Sequence, residues 1–134
     1  MTSDALKLRK RVYVAGPYSA PDPVENTYRA IYIGDLLWRM GYVPFVPHLS
    51  HFWHRIRPHT WAEWLEYDLQ WVLACHAVLW MSGDSPGADR EAVFARAAMI
   101  PVYLTVAQLL QGLPPSDPEA AGRILAAWKG MDGR

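Results

Sequence analysis

Short β-prone runs alternate with capped helical segments, and this alternation constrains the fold more than any other feature of the sequence. Residues 12–15 are apolar and end at Gly16-Pro17, which predicts a buried strand followed by a turn. Residues 22–25 then supply an N-cap aspartate, a proline at the first helical position and a glutamate at the third. They predict a helix over about 23–40, which ends at Gly41 because glycine readily adopts the left-handed conformation.

The same alternation continues through the rest of the chain. Two prolines in the strand predicted at 42–47 place it at a sheet edge, because proline lacks the N–H that a central strand needs. The pattern further predicts a polar loop at 48–59, a helix at about 60–75 capped by Thr60, a strand at 76–81, a loop at 82–87, a helix at about 88–99 and a strand at 102–106.

Strands that alternate with helices form a parallel sheet wound by right-handed crossovers. We therefore expect an α/β fold: a three-layer, doubly wound parallel sheet of the flavodoxin or Rossmann type, with strand order 2-1-3-4 and room for a fifth strand. Residues 1–110 are predicted to form one domain, on which residues 111–134 pack as a helical tail. The apolar residues Ile124, Leu125 and Trp128 of that tail fit either the core or a dimer contact.

Composition narrows the class of function. Hydrophobic residues make up 51% of the 134 residues and charged residues 19%, which predicts a folded globular chain. Thirteen basic and thirteen acidic residues give a net charge of zero, which disfavours binding to a nucleic acid polymer or an anionic membrane. The single cysteine, Cys75, excludes an internal disulfide and is typical of a cytoplasmic protein. No stretch has the sequence of a membrane span or a signal peptide.

The predicted topology indicates where a ligand binds. In such sheets the ligand lies beyond the carboxyl ends of the strands where the winding direction reverses, here between strands one and three. This sets the loop at 16–21 opposite the loop at 82–87, and both are rich in glycine, proline and hydroxyl side chains. We expect the following residues to contact a ligand: Gly16, Pro17, Tyr18, Ser19, His48, Ser82, Asp84, Ser85 and Gly87.

Three residues are candidates for catalysis by their positions. Asp68 has only apolar residues one helical turn away on either side, so it is expected to be buried with a raised pKa; a salt bridge to an arginine is the structural alternative. Glu91 falls in the first turns of helix three, where its carboxylate can face the crevice or simply complement the helix dipole. Tyr13 lies in strand one, either facing the ligand or packed in the core.

The remaining chemically reactive side chains do not predict metal or thiol chemistry. His48, His51, His54 and His59 are closely spaced, but they match no zinc motif, so we expect loop histidines that contact the substrate or face solvent and no metal site. Cys75 continues the apolar stripe of helix two and is expected to be a buried, unreactive thiol. Neither dinucleotide nor P-loop glycine motifs are present, so no cofactor is expected.

Several segments together resemble the nucleoside 2-deoxyribosyltransferase superfamily, which includes the 2′-deoxynucleoside 5′-phosphate N-hydrolases. They are residues 12–19 (VYVAGPYS), Asp68, and residues 85–91 (SPGADRE) ahead of 100–102. The resemblance implies that Glu91 attacks C1′ of the sugar, Asp68 handles the proton of the base, and Tyr13 holds the glutamate in its attacking orientation.

The resemblance also bears on the substrate and the assembly. Ser85 matches the hydrolases, where the transferases carry an acidic residue, which favours a nucleoside 5′-monophosphate. The hydrolases carry an arginine in the first loop where this chain has Ser19, so the phosphate requirement stays open. Hydrolysis is the leading hypothesis; base exchange, a non-catalytic nucleotide sensor and a scaffold role are the alternatives. Related enzymes form dimers or higher oligomers, which implies self-association for this chain.

Overall fold

The computed structural model describes residues 8–18, 22–81 and 86–128, with side chains from residue 89 onward in the last stretch. Four strands and six helices lie within these residues. In chain order they are β1 (Arg11–Ala15), α1 (Pro23–Met40), β2 (Val43–Phe45), a 3-10 turn (Pro47–Leu49), α2 (Ser50–Ile56), α3 (Trp61–Ala74), β3 (Ala77–Trp80), α4 (Pro86–Ala97), β4 (Val102–Tyr103), α5 (Val106–Gly112) and α6 (Pro118–Ala127).

The four described strands form one parallel sheet in the order β2-β1-β3-β4, which confirms the predicted α/β fold and strand order. β1 pairs with β2 on one side and with β3 on the other, so that Tyr13 lies level with Val78, and Ala15 with Trp80. As the prolines predicted, β2 lies at an edge.

The residues that the sequence predicts at the ends of α1 and at the start of α3 act as helix caps. Asp22 accepts a hydrogen bond from the Val24 amide at 3.0 Å, and Gly41 ends α1 with φ of 104°. Thr60 accepts one from the Glu63 amide at 3.1 Å and starts α3. These bonds satisfy amides that have no partner within the helix, which is why both helices begin where the sequence indicates.

Alternate residues of the central strands serve two separate cores. Val12 and Val14 face α1, α5 and α6, where Leu36, Leu37 and Leu109 are fully buried. Tyr13 and Ala15 face α3 and α4 on the opposite side of the sheet. There they form a smaller core with Val72, Cys75, Val78 and Ala95. In α6, Ala121 is buried and Ile124, Leu125 and Trp128 pack against the first core.

Two local predictions were wrong. The predicted polar loop at 48–59 contains the end of a 3-10 turn and the whole of α2. Leu49, Phe52, Trp53 and Ile56 have helical spacing, but α2 has no buried residue, so this apolar row does not face the core. The predicted strand at 102–106 is only two residues long, because Thr105 caps α5 by accepting a hydrogen bond from the Gln108 amide at 3.0 Å. No fifth strand is present in the described ranges.

Candidate active site

The carboxyl ends of β1 and β3 lie against each other, where the topology predicts the ligand. The Met81 amide, just beyond β3, donates a hydrogen bond of 2.7 Å to the Ala15 carbonyl. A Cβ added at Gly16 would lie 3.1 Å from the Met81 Cβ, so a larger residue at Gly16 would require the Met81 side chain to shift by a few tenths of an ångström. The beginnings of the two predicted ligand loops are therefore neighbours.

The structure describes only part of those loops. Ser19, Ser82, Asp84 and Ser85 lie outside the described residues, and Gly87 falls in the first turn of α4, which begins at Pro86. The described part of the site consists of Gly16, Pro17, Tyr18 and His48, together with side chains from β1, α3 and α4.

Tyr13 of β1 is the buried centre of the site. Its side chain is fully buried on the α3 and α4 face, and its hydroxyl has no hydrogen-bond partner. Burial raises the pKa of Tyr13 well above its usual value, and the nearby carboxylates of Glu91 and Asp68 raise it further. The phenol therefore stays protonated and can donate a hydrogen bond. The structure brings together all three residues that the sequence nominated for catalysis.

Glu91 of α4 is buried, with only 7% of its surface exposed, and its Oε2 atom has no hydrogen-bond partner. Burial raises the pKa of Glu91 to about 8; the Tyr13 hydroxyl, which is near enough to favour the anion, opposes this rise, and Asp68 adds to it. The hydroxyl nevertheless forms no hydrogen bond of normal geometry, so it approaches the carboxyl group without being fixed to it.

Asp68 of α3 is the second carboxyl group of the cluster. Burial raises the pKa of Asp68 to about 7, and its Oδ1 atom has no hydrogen-bond partner. Within the described part of the chain Asp68 forms no ion pair, which disagrees with the alternative of a salt bridge to an arginine. A carboxyl group that is buried without a cation is neutral over much of the pH range in which exposed carboxyl groups are charged.

Two histidines hold the loop that follows β1. The buried His48 side chain bonds through Nε2 to the Pro17 carbonyl at 2.9 Å, and His51 of α2 bonds through Nδ1 to the Tyr18 hydroxyl. The amide of Asn26 on α1 donates to the Tyr18 carbonyl at 3.0 Å. The first loop is thus anchored from both α1 and α2, a function of the 48–59 segment that sequence reasoning missed.

The hydrogen bond of His48 fixes its tautomer. A carbonyl oxygen only accepts hydrogen bonds, so Nε2 must carry the proton. Burial lowers the pKa of His48, which leaves the ring neutral and makes Nδ1 an acceptor; this atom is buried and has no partner. His48 thus lies at the predicted ligand loop with one free acceptor.

The other candidates for metal or thiol chemistry have structural surroundings. His54 accepts a hydrogen bond from the Trp64 indole at 2.8 Å, and His59 pairs with Glu63 at 2.6 Å. In the described ranges no group of three or more His, Cys, Asp or Glu side chains could hold a metal ion. Burial raises the pKa of the Cys75 thiol to about 11, which keeps it protonated and weakly nucleophilic.

An aromatic stack leads from the buried tyrosine to the surface. The rings of Tyr13 and Phe45 lie 5.6 Å apart with 24° between their planes, and those of Phe45 and Trp71 lie 4.8 Å apart with 16°. Trp71 is 40% exposed and lies one helical turn after Asp68. Apart from the richness of the chain in aromatic residues, no sequence signal predicts this stack, because the ring planes depend on how β2 packs against α3.

The cluster has the groups needed for acid–base and nucleophilic chemistry. Two carboxyl groups with raised pKa values of about 7 and about 8 influence each other's charge, and the neutral phenol of Tyr13 is near enough to Glu91 to favour its anion.

No family model matches the chain, and no curated protein matches it significantly. Among the described helices, none is long and apolar enough to cross a membrane.

Proposed function

We propose that the chain is a cofactor-free N-glycosidase that cleaves the bond between base and sugar in a nucleoside or nucleoside 5′-monophosphate. The observation that carries the proposal is the cluster of the buried Tyr13 and Glu91 with the partly buried Asp68, each of which has a buried polar atom without a hydrogen bond of normal geometry. The resemblance of the sequence to the nucleoside 2-deoxyribosyltransferase superfamily, with its carboxylate nucleophile, adds support.

In the first step an oxygen of the Glu91 carboxylate forms a bond to C1′ while the bond from C1′ to the base nitrogen breaks. The base leaves with the electron pair and takes a proton from the Asp68 carboxyl group. In the second step water attacks C1′, its proton returns to Asp68, and Glu91 is released as a carboxylate. The Tyr13 hydroxyl donates to Glu91 and orients it for attack.

The proposed reaction needs Glu91 ionised and Asp68 protonated. The pKa values of about 8 for Glu91 and about 7 for Asp68 favour the opposite distribution in the free protein. Because the two values are close, moving the proton from Glu91 to Asp68 costs only about 1–2 kcal/mol. Donation from Tyr13 and positive charge developing on the sugar both favour the reactive form.

The substrate panel is a set of ribonucleosides, 2′-deoxyribonucleosides and their 5′-monophosphates, assayed for released base by chromatography. We expect Glu91→Gln to lower the rate about 10³-fold or more, since it removes the nucleophile. Asp89→Asn is the matched control, because Asp89 lies on the same helix and is exposed. No base release from any substrate, or equal rates for the two variants, would contradict the proposal.

Two further experiments separate the alternatives. With an added free base, a new nucleoside would indicate deoxyribosyl exchange, whereas free sugar or sugar phosphate indicates hydrolysis. Nucleotide binding without turnover, unchanged in Glu91→Ala, would indicate a sensor. We also propose, from the resemblance, that the protein acts in the cytoplasm as a homodimer or higher oligomer.

A further inference from the structure

Trp80, the last residue of β3, carries a buried hydrogen-bond donor that no group in the described part of the chain accepts. Its indole Nε1 atom is closed off from solvent and forms no hydrogen bond there. An indole nitrogen can only donate, and a buried donor without an acceptor is uncommon in folded proteins. The steps proposed above for Tyr13, Asp68 and Glu91 give this donor no role. An acceptor that arrives with the substrate explains why it is there.

The register of the sheet places Trp80 at the ligand edge. Trp80 pairs with Ala15, two residues after Tyr13 in β1. Its side chain packs against the core on the α3 and α4 face, which is also the face of Tyr13. From the spacing of residues and strands in a sheet, the Cα atoms of Tyr13 and Trp80 lie about 8 Å apart. Trp80 is therefore a diagonal neighbour of Tyr13 on the same face, and it lies closer to the ligand loops.

The helix that lies over Trp80 is the one that carries Glu91. α4 packs on β3, whereas the contacts of α3 with the sheet are mainly with β1. Trp80 and Glu91 therefore line the same part of the site, and Asp68 is held by the helix over the neighbouring strand. In the proposed reaction Glu91 bonds to C1′ and Asp68 protonates the base. The part of the site that Trp80 shares with Glu91 is thus the part that holds the sugar.

We propose that the Trp80 indole N–H donates a hydrogen bond to a hydroxyl oxygen of the sugar. The place of the sugar is taken from the bond between Glu91 and C1′, so this assignment rests on the proposed function. The ring oxygen of the sugar is the poorer acceptor, because it loses electron density as positive charge develops at C1′ in the transition state. A hydroxyl oxygen away from C1′ keeps its electron density, so its hydrogen bond is equally strong before and during the reaction.

An interaction of equal strength in both states has a kinetic signature. Its loss raises KM and leaves kcat unchanged. Trp80→Phe removes the N–H and keeps an aromatic ring, so we expect KM to rise about fivefold to tenfold with kcat within about twofold. Trp38→Phe is the matched control, because it makes the same change at an exposed residue of α1 on the other face of the sheet. It should change neither constant by more than about twofold.

Modified substrates identify the hydroxyl that Trp80 binds. The set contains a ribonucleoside and its 2′-deoxy, 3′-deoxy and 5′-deoxy forms, each assayed with the unmodified protein and with Trp80→Phe. The form without the bound hydroxyl should have a raised KM with the unmodified protein, and Trp80→Phe should raise it no further. The other forms should keep the full effect of the variant. An equal effect of Trp80→Phe on all four substrates would overturn the proposal.

The indole proton provides a direct measurement that does not depend on the folding of a Trp80 variant. In Glu91→Gln protein with isotopically labelled tryptophan, the NMR signal of the Trp80 N–H is assigned through its own backbone. Saturation with a substrate should move it downfield, because the N–H gains an acceptor. An unmoved signal at saturation, or an unchanged KM in folded Trp80→Phe, would overturn the role of Trp80 and leave the proposed function standing. No base release by the unmodified protein from any substrate would overturn both.

Discussion

Tyr42 and Tyr13 are both fully buried, on opposite faces of the same sheet, but only the Tyr42 hydroxyl forms a hydrogen bond of normal geometry. The Tyr42 hydroxyl, on the α1 face, donates a hydrogen bond of 2.7 Å to the Leu113 carbonyl. The Tyr13 hydroxyl, on the α3 and α4 face, approaches the Glu91 carboxyl group without such a bond. The two cores around these tyrosines differ in the same way.

The α1 face contains a larger, well-packed apolar core, whereas the α3 and α4 face contains buried polar groups that lower the stability of the fold. Of the five buried side-chain polar atoms without a hydrogen bond in the described residues, four belong to Tyr13, Asp68, Trp80 and Glu91 on the second face, and the fifth is Nδ1 of His48, beside the first loop. An unpaired buried polar atom costs about 1–3 kcal/mol. Such groups persist where function requires them, so the contrast between the faces locates the candidate site independently of any motif.

The largest expected effect is on the α1 face. Leu37→Ala should lower the free energy of unfolding by about 3 kcal/mol, because it removes buried methyl groups and leaves a cavity in a close-packed core. Leu73→Ala, at an exposed position on α3, should change it by less than about 0.5 kcal/mol. Urea unfolding measures both. Equal losses in the two variants would mean that the α1 core is not the main source of stability.

The second effect is a dependence of stability on pH that arises from the α3 and α4 face. In the folded state the pKa values of Asp68 and Glu91 are raised to about 7 and 8. Between their ordinary values and these raised values the unfolded chain binds fewer protons than the folded chain. The free energy of unfolding therefore falls as the pH rises through this range, and it levels off above about pH 8.

Glu91→Gln isolates one contribution to that slope. The variant keeps every other titrating group, so the difference from the unmodified protein should grow with pH and make the variant more stable at pH 8, on the order of 2 kcal/mol. Urea unfolding at pH 5 and pH 8 provides the comparison. If the two proteins show parallel slopes, Glu91 does not titrate from a buried position.

The third effect compares the two tyrosines directly. Tyr42→Phe should cost about 1 kcal/mol, because it leaves the Leu113 carbonyl without its donor. Tyr13→Phe removes a hydroxyl that approaches Glu91 without a hydrogen bond of normal geometry, so the loss of stability should be smaller than in Tyr42→Phe, while base release falls. Thermal unfolding and the base-release assay, run on both variants, test the contrast. A larger loss of stability in Tyr13→Phe would reverse the assignment of the two faces.

The smallest effect concerns the ends of two helices, one on each face. α1 ends at Gly41 with φ of 104°, whereas after α4 the left-handed position is taken by Met99 with φ of 64°. Met99 is 90% exposed, so its side chain contributes little packing. Met99→Gly should stabilise the protein by about 0.5–1 kcal/mol, because glycine adopts this conformation without strain. Thermal unfolding is sufficient, and a lower melting temperature would contradict the expectation.

The parts of the fold that could be predicted have local signals. The caps at Asp22 and Thr60 and the alternation of strands and helices led to the sheet order and to the cluster of Tyr13, Asp68 and Glu91. α5 also had a readable signal, because Thr105 and Gln108 form a capping pair, but the β-prone residues before it suggested a longer strand.

The parts that could not be predicted depend on tertiary contacts. The apolar residues Leu49, Phe52, Trp53 and Ile56 have helical spacing, but α2 has no buried side chain and no side-chain cap, so this signal stands without the core contacts and caps that mark the other helices. The bonds from His48 and His51 to the first loop join segments about thirty residues apart, and neither the spacing nor the residue types indicate them. The acceptor character of His48 Nδ1 likewise follows from two tertiary features, the position of the Pro17 carbonyl and the burial that lowers the pKa of the ring.

The surroundings of Cys75 make the chain convenient for site-directed labelling. It is the only cysteine, it is buried, and burial raises its thiol pKa to about 11. A maleimide fluorophore directed at a second, surface-engineered cysteine should therefore modify that cysteine first without removal of the native one. The slow rate at which Cys75 itself is modified then measures how often the junction between α3 and β3 opens to solvent.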